Sequence, residues 1–242
     1  MPKFNKEWKV LPHGPVRKVD ERILTVEGDI PMPLGKFPRR MTVVGLSRNR
    51  SVIFSAIALK EPAMRRIEEI GKPSFLIVPN GHHRLDARIW KQRYPKLKVL
   101  CPPGARDSVA DVVPVDATDD ALGDKDVEFV TVDGTGGGEA ALVVRRKSGT
   151  TLIVNDVIAN VRHPRGLGAK IIARLFGFGI ERPKVPRVVK RVMVKNEGRL
   201  ASQFRAWAGE PRLQRIIVSH GDVIGSDAAA TLQSLAGSLD SD

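Results

Sequence analysis

Residues 74 to 95 hold a complete strand, loop and helix: Ser74-Phe75-Leu76-Ile77-Val78, then Pro79-Asn80-Gly81-His82-His83, then Arg84 to Tyr94, closed by Pro95. A short, unbroken apolar run of the first kind forms a strand buried on both faces. Pro79 and Gly81 end it, and Leu85, Ile89 and Trp90 then fall on one face of a helix that Pro95 terminates. The two histidines therefore sit at the carboxyl end of a buried strand, where α/β proteins gather functional side chains over a rigid sheet.

Working outward toward the N-terminus, Met41 to Leu46 and Ser51 to Ile57 are β-rich runs joined by the polar Ser47-Arg48-Asn49-Arg50, a hairpin signal. Glu61 to Gly71 places Ala63, Met64, Ile67 and Ile70 at helical spacing, with Gly71 and Pro73 as stop signals. The first 38 residues read as a lead-in with one short strand, Arg22 to Glu27, before Pro31-Met32-Pro33-Leu34-Gly35 interrupts regular structure. Toward the C-terminus, strands are expected at Lys98 to Leu100, Val127 to Val132, Ala140 to Arg146, Thr151 to Asn155 and Arg215 to Val218. Helical patterns begin at Leu167 and again around Asn196 to Trp207. The small, acidic residues 238 to 242 read as a frayed tail. Paired strands with helices between them, in two successive halves, predict two sheets flanked by helices, in one domain over residues 39 to 237.

With 242 residues, 42% of them hydrophobic, the chain can bury one large core without staples, and the lone Cys101 excludes an intrachain disulfide. The lysines near the N-terminus lead into Leu11-Pro12-His13-Gly14 rather than an apolar run, and no stretch approaches the roughly 18 apolar residues of a membrane span. A cytoplasmic protein is expected. The net charge of +13 is concentrated: residues 145 to 215 hold 17 Lys or Arg against 4 acids, and the remainder is neutral. A basic helical insert over about 162 to 210 is expected, and a positive face there suits an anionic partner: nucleic acid, a membrane surface or a charged small molecule. Only 5% of residues are aromatic, which leaves little for base stacking.

Three groups with metal-ligating chemistry follow buried strands: His82 and His83 after Phe75 to Val78, Asp156 after Thr151 to Asn155, and His220 after Ile216 to Val218. Imidazole nitrogen with carboxylate oxygen suits zinc, iron or manganese. Asp86 competes for the loop position, one helical turn from His82. Against this stand ordinary roles: histidines bonding backbone at a helix start, an aspartate in a turn, and His220-Gly221 as a strand end. The glycines at 134 to 138 lack a Gly-Lys-Ser/Thr ending and precede a strand, so they make no phosphate loop. Cys101 reads as a packed thiol, and Trp90, Phe204 and Trp207 as core.

The order of hairpin, helix, strand, histidine loop, helix ending in Tyr94-Pro95, glycine turn, strand ending in Asp156 and final His220-Gly221 resembles the metallo-β-lactamase superfamily over residues 39 to 225. Arg40 to Val44, Ile77 to His83 and Ile89 to Pro95 are similar to an uncharacterised branch of it with an eroded metal motif. The resemblance implies a four-layer αββα sandwich and hydrolysis by metal-activated water. Counted back from Tyr94-Pro95, the family's His-any-His-any-Asp-His loop places His83 on its last histidine, His82 on its aspartate, Asn80 on its second histidine and Val78 on its first. Gly134-Thr135 stands at the later Gly-His turn. The first metal site of the family thus lacks its ligands, while Asp156 and His220, with His82 or His83, match the second. A single divalent ion is implied, zinc first, iron or manganese as alternatives, acting on a small-molecule substrate. The other reading is a noncatalytic, metal-free descendant that binds an anion through the basic insert.

Overall fold

The computed structural model describes residues 4–32, 35–163, 177–225 and 227–240. Two sheets lie face to face. The first has six strands in sequence order: β1 (Arg17–Asp20), β2 (Ile23–Met32), β3 (Gly35–Leu46), β4 (Arg50–Phe54), β5 (Lys72–Ile77) and β6 (Lys98–Leu100). It is antiparallel through β4, then parallel from β4 to β6, because helices α1 (Glu61–Glu68) and α2 (Ala87–Arg93) carry the chain back each time. The second sheet has the order β10-β9-β8-β7: β7 (Val127–Thr131), β8 (Ala140–Arg146), β9 (Gly149–Val154) and β10 (Leu213–Val218). Here β9 and β10 are parallel and the other pairs antiparallel.

The strand period of two sorts the side chains into layers. In β3, Val44 and Leu46 face the second sheet, while Met41 and Val43 face the helices. In β8, Leu142 and Val144 point between the sheets, and Ala141 and Val143 point outward. Met64 and Ile67 of α1 and Ile89 and Trp90 of α2 cover the first sheet, along with the short α3 (Arg106–Ala110). The second sheet is covered by α5 (Glu197–Ala208) through Leu200, Phe204 and Trp207, and by α6 (Ala228–Asp240) through Leu232, Leu235 and Leu239. The layers run helix, sheet, sheet, helix, as expected. Among the described residues no helix is long and apolar enough to cross a membrane.

Two elements differ from the sequence reading. The lead-in is built into the first sheet: β2 pairs with β3 from Ile23↔Val44 to Met32↔Gly35, and Trp8 donates its indole N–H to the Leu59 carbonyl at 3.0 Å. The prolines mislead because β1 covers β2 only at residues 23–25 and β4 covers β3 only from Thr42 onward. His13 bridges Gly28, and beyond that point neither β1 nor β4 pairs with the hairpin, so a missing N–H there costs no ladder bond to a third strand. The end of the chain also differs. Residues 228–240 are helical, Leu239 is buried, and Asp240 pairs with Arg205. Ala228, Leu232, Leu235 and Leu239 recur at helical intervals that the small, polar residues between them conceal.

Of the expected basic insert, the helical pattern from Leu167 lies in 164–176, outside the described residues. Beyond it, α4 (Arg187–Val192) and α5 follow, and Lys190 pairs with Glu197 and Arg215 with Asp20.

Candidate metal centre

Sheet register brings the site together. Val218 of β10 lies beside Val154 of β9 in a parallel pair, so Asp156 and His220, each two residues further on, leave the second sheet side by side. The loop after β5 reaches them from the first sheet. Asn80 shapes that loop: its Oδ1 accepts from the backbone N–H of His82 at 2.8 Å and of His83 at 3.1 Å. This local turn directs His83 inward and leaves His82 exposed.

His83 Nε2 lies 3.2 Å from Asp156 Oδ1 and 3.2 Å from His220 Nε2, and His220 Nε2 lies 2.9 Å from the same Oδ1. Each ring is held from behind at its other nitrogen. His220 Nδ1 donates to the Pro38 carbonyl at 2.7 Å, and His83 Nδ1 meets Ser55 Oγ at 2.9 Å. A carbonyl only accepts, so His220 carries a proton on Nδ1 and turns Nε2 toward the cluster. Ser55 closes β4 with a positive φ of 56°, a backbone conformation unusual for a residue with a side chain.

Electrostatics concentrate on the same atoms. Burial pushes the His83 imidazole below its ordinary pKa, against the pull of Asp156. Burial alone would raise the Asp156 carboxyl, but His83 and His220 outweigh it and hold the group well below the usual carboxylate range. A third acid lies beneath. Glu139 is completely buried and accepts from the Asp156 backbone N–H at 2.6 Å and from Asn80 Nδ2 at 2.8 Å. Burial, and then the neighbouring Asp156 charge, drive its pKa well above normal.

The three facing atoms Nε2, Nε2 and Oδ1 are all acceptors when the rings carry their protons on Nδ1. They lie close enough to share one ion, and each imidazole has the partner behind it that fixes a metal-binding ring. The donor set therefore fits a divalent cation such as zinc.

The other expected candidates fall outside the cluster. His82 instead lines a cavity of about 40 Å³ with Arg39, Ser55 and His83. Asp86 is buried with both oxygens engaged: Oδ2 takes Arg39 Nη1 at 2.6 Å and Oδ1 takes Asn5 Nδ2 at 2.8 Å. It is a structural ion pair whose partners the helix-turn argument could not supply. The positions where the resemblance implied lost ligands are filled by other chemistry. Val78 packs in the apolar layer, Thr135 donates to the Val132 carbonyl, and Asn80 Nδ2 donates to Asp156 Oδ2 at 2.7 Å. Sequence reasoning missed Ser55 and Glu139. Glu139 had one faint signal, an acid set directly against the fully buried start of β8. A larger cavity of about 350 Å³ shares Pro38, Ser219 and Gly221 with the surroundings of His220, and Arg17, Arg40, Glu27 and Asp222 also line it.

No family model matches this chain, and no curated protein does. Solved structures do match it. The metallo-β-lactamase DIM-1, in a structure exposed to ceftazidime, superimposes with a TM-score of 0.63 at 14% identity, covering 95% of this chain and 99% of its own. A metallo-β-lactamase from Pontibacter korlensis gives 0.61 at 12% identity, with 92% and 98% covered. The metallo-β-lactamase FIM-1 from Pseudomonas aeruginosa, in its mono-zinc form, gives 0.58 at 12% identity, with 93% and 96% covered. At such identities the likeness is one of architecture, and the chain has the metallo-β-lactamase fold.

Proposed function

We propose that this protein is a hydrolase of small-molecule substrates that works with one divalent ion, zinc before iron or manganese, held by His83, Asp156 and His220. The observation that carries the reading is the convergence of two Nε2 atoms and one Oδ1 within 3.2 Å, with both rings anchored from behind. A structure of this fold in a mono-zinc form gives precedent for one ion on such a scaffold. When bound, a divalent ion supplies Lewis acidity, lowering the pKa of a water toward ~7 for attack on an electrophilic carbonyl or phosphorus.

The chain's own groups have distinct tasks. The Pro38 carbonyl keeps the His220 proton on Nδ1, so Nε2 stays available as a lone pair. Ser55 does the same for His83 when it accepts the Nδ1 proton. Asp156 contributes the negative charge. The 350 Å³ cavity is of a size that holds a small ligand, and its mixed lining of Arg17, Arg40, Glu27 and Asp222 suits a polar one.

The test is hydrolysis of a panel of lactams, esters, thioesters and phosphodiesters before and after treatment with a chelator. Activity that disappears on chelation, returns with zinc, iron or manganese, and does not return in Asp156→Ala or His220→Ala supports the reading. Turnover indifferent to the chelator overturns it, and inactivity under all conditions leaves the noncatalytic descendant.

A further inference from the structure

Asn80 is 1% exposed, and every hydrogen-bonding capacity of its side chain is used. Its two amide hydrogens go to Glu139 Oε2 at 2.8 Å and Asp156 Oδ2 at 2.7 Å, and Oδ1 accepts from the N–H groups of His82 and His83. A primary amide has two donors and two acceptor sites, so none remains. The orientation is therefore forced, because a flipped amide would set donors against donors and acceptor against carboxylates.

Asp156 is consequently held at three points. Its backbone N–H is bound by Glu139 Oε1 at 2.6 Å, Oδ2 is bound by Asn80, and Oδ1 alone faces the two imidazoles. The fully buried Glu139 and the 12% exposed Asp156 are two carboxyl groups bridged by one amide nitrogen, a pair otherwise attractive to a cation. The Asn80 amide occupies the space between them with two N–H dipoles.

We propose that Asn80, braced by Glu139, is a positioning residue that commits Asp156 to bind an ion through Oδ1 alone and bars a second cation from the Asp156 and Glu139 carboxyl pair. This rests on the reading of His83, Asp156 and His220 as ion ligands. It goes beyond that reading by assigning the number of ions and the mode of the carboxylate to one neutral side chain. The Asn80 side chain has no capacity left for ion or substrate. Its effect passes through Asp156.

The experiment loads metal-free protein with cobalt(II) and reads the number of ions per chain by native mass spectrometry, with the visible spectrum reporting coordination. Wild type should take one ion. Asn80→Asp replaces the two donors by a third carboxylate and should admit a second. Glu139→Gln keeps the size of the side chain but loses one acceptor. It should hold one ion about 10- to 100-fold more weakly, with a shifted cobalt spectrum, the range seen when groups supporting a ligand are removed. Circular dichroism reports folding, and if Asn80→Asp fails to fold, Glu139→Gln alone decides. Wild type taking two ions, or both folded variants matching a one-ion wild type in stoichiometry, affinity and spectrum, overturns this inference while leaving the ligand reading intact. Wild type taking no cobalt overturns the ligand reading and this inference with it.

Discussion

Replacing Asp86 by alanine separates a structural ion pair from a metal ligand. The Asp86 side chain is fully buried and that of Arg39 is 6% exposed, so neither charge has water to fall back on. The substitution removes the 2.6 Å bond from Arg39 Nη1 and the 2.8 Å bond from Asn5 Nδ2. Hydrogen bonds to a charged group contribute about 1.5 to 3 kcal/mol each, and breaking one side of a buried pair costs about 3 to 5 kcal/mol because the surviving charge is uncompensated. Arg39 has little reserve, since its Nε has no partner among the described residues. A loss of about 3 to 5 kcal/mol is expected for Asp86→Ala, a large share of the ~5 to 15 kcal/mol that holds a domain together. Near the transition this is a fall of roughly 6 to 20 °C in Tm for a chain of this size. Urea unfolding of the single variant and of Arg39→Met with Asp86→Leu gives the comparison. The double variant should recover most of the loss, because an apolar replacement leaves no buried charge. Bound metal should be unchanged in both. A single variant that loses under about 1 kcal/mol, or that sheds metal at unchanged stability, would show that Asp86 is no structural ion-pair partner of Arg39.

Gly221→Ala should destabilise the fold and displace His220: Gly221 has φ of 105°, and an added Cβ would lie 2.1 Å from the Asn160 carbonyl oxygen. The backbone conformation alone costs about 1 to 3 kcal/mol, and thermal unfolding should show at least that. Cys101 is buried and its thiol is pushed up to about 11, so iodoacetamide at pH 8 should leave the native protein unmodified and label it once urea unfolds it. Rapid labelling without denaturant would contradict that burial. Leu239→Ala should cost about 2 to 5 kcal/mol, the usual range for a buried leucine, whereas a frayed terminus would lose almost nothing.

The strands around the site were legible because their residues alternate or run apolar between clear punctuation. Phe75 to Val78 ends at Pro79, and β9 begins at Gly149. Their ends named His83, Asp156 and His220 as candidates. The distinction between His83 and His82 was not legible, since it depends on a turn set by the Asn80 side chain and on Ser55, 28 residues away in the chain. The same holds for Asp86, whose partner Arg39 is 47 residues distant, and for Glu139, 59 residues from Asn80. Pairwise polar contacts of that span carry no local period. They exist only once the elements that carry them have packed, within the first sheet for Ser55 with His83 and Arg39 with Asp86, and across both sheets for Asn80 with Glu139.

Prolines and small residues caused the misreadings of the fold. Pro31 and Pro38 lie in the half of the β2 and β3 ribbon that neither β1 nor β4 flanks, where the rule that proline excludes strand does not apply. In α6, Ala228 and Ala236 are core residues, yet alanine contributes little to a hydrophobic pattern. Both elements became visible through their neighbours rather than through their own composition.

The proposed hydrolase stands on one ion held by His83, Asp156 and His220. Native mass spectrometry with elemental analysis of protein purified without added metal tests it most directly, run beside His83→Ala, Asp156→Ala and His220→Ala. One zinc, iron or manganese per wild-type chain, falling to near zero in all three folded variants, is the predicted result. A metal-free wild type that takes up no zinc, iron or manganese when they are supplied, or metal content unchanged in the variants, would contradict it.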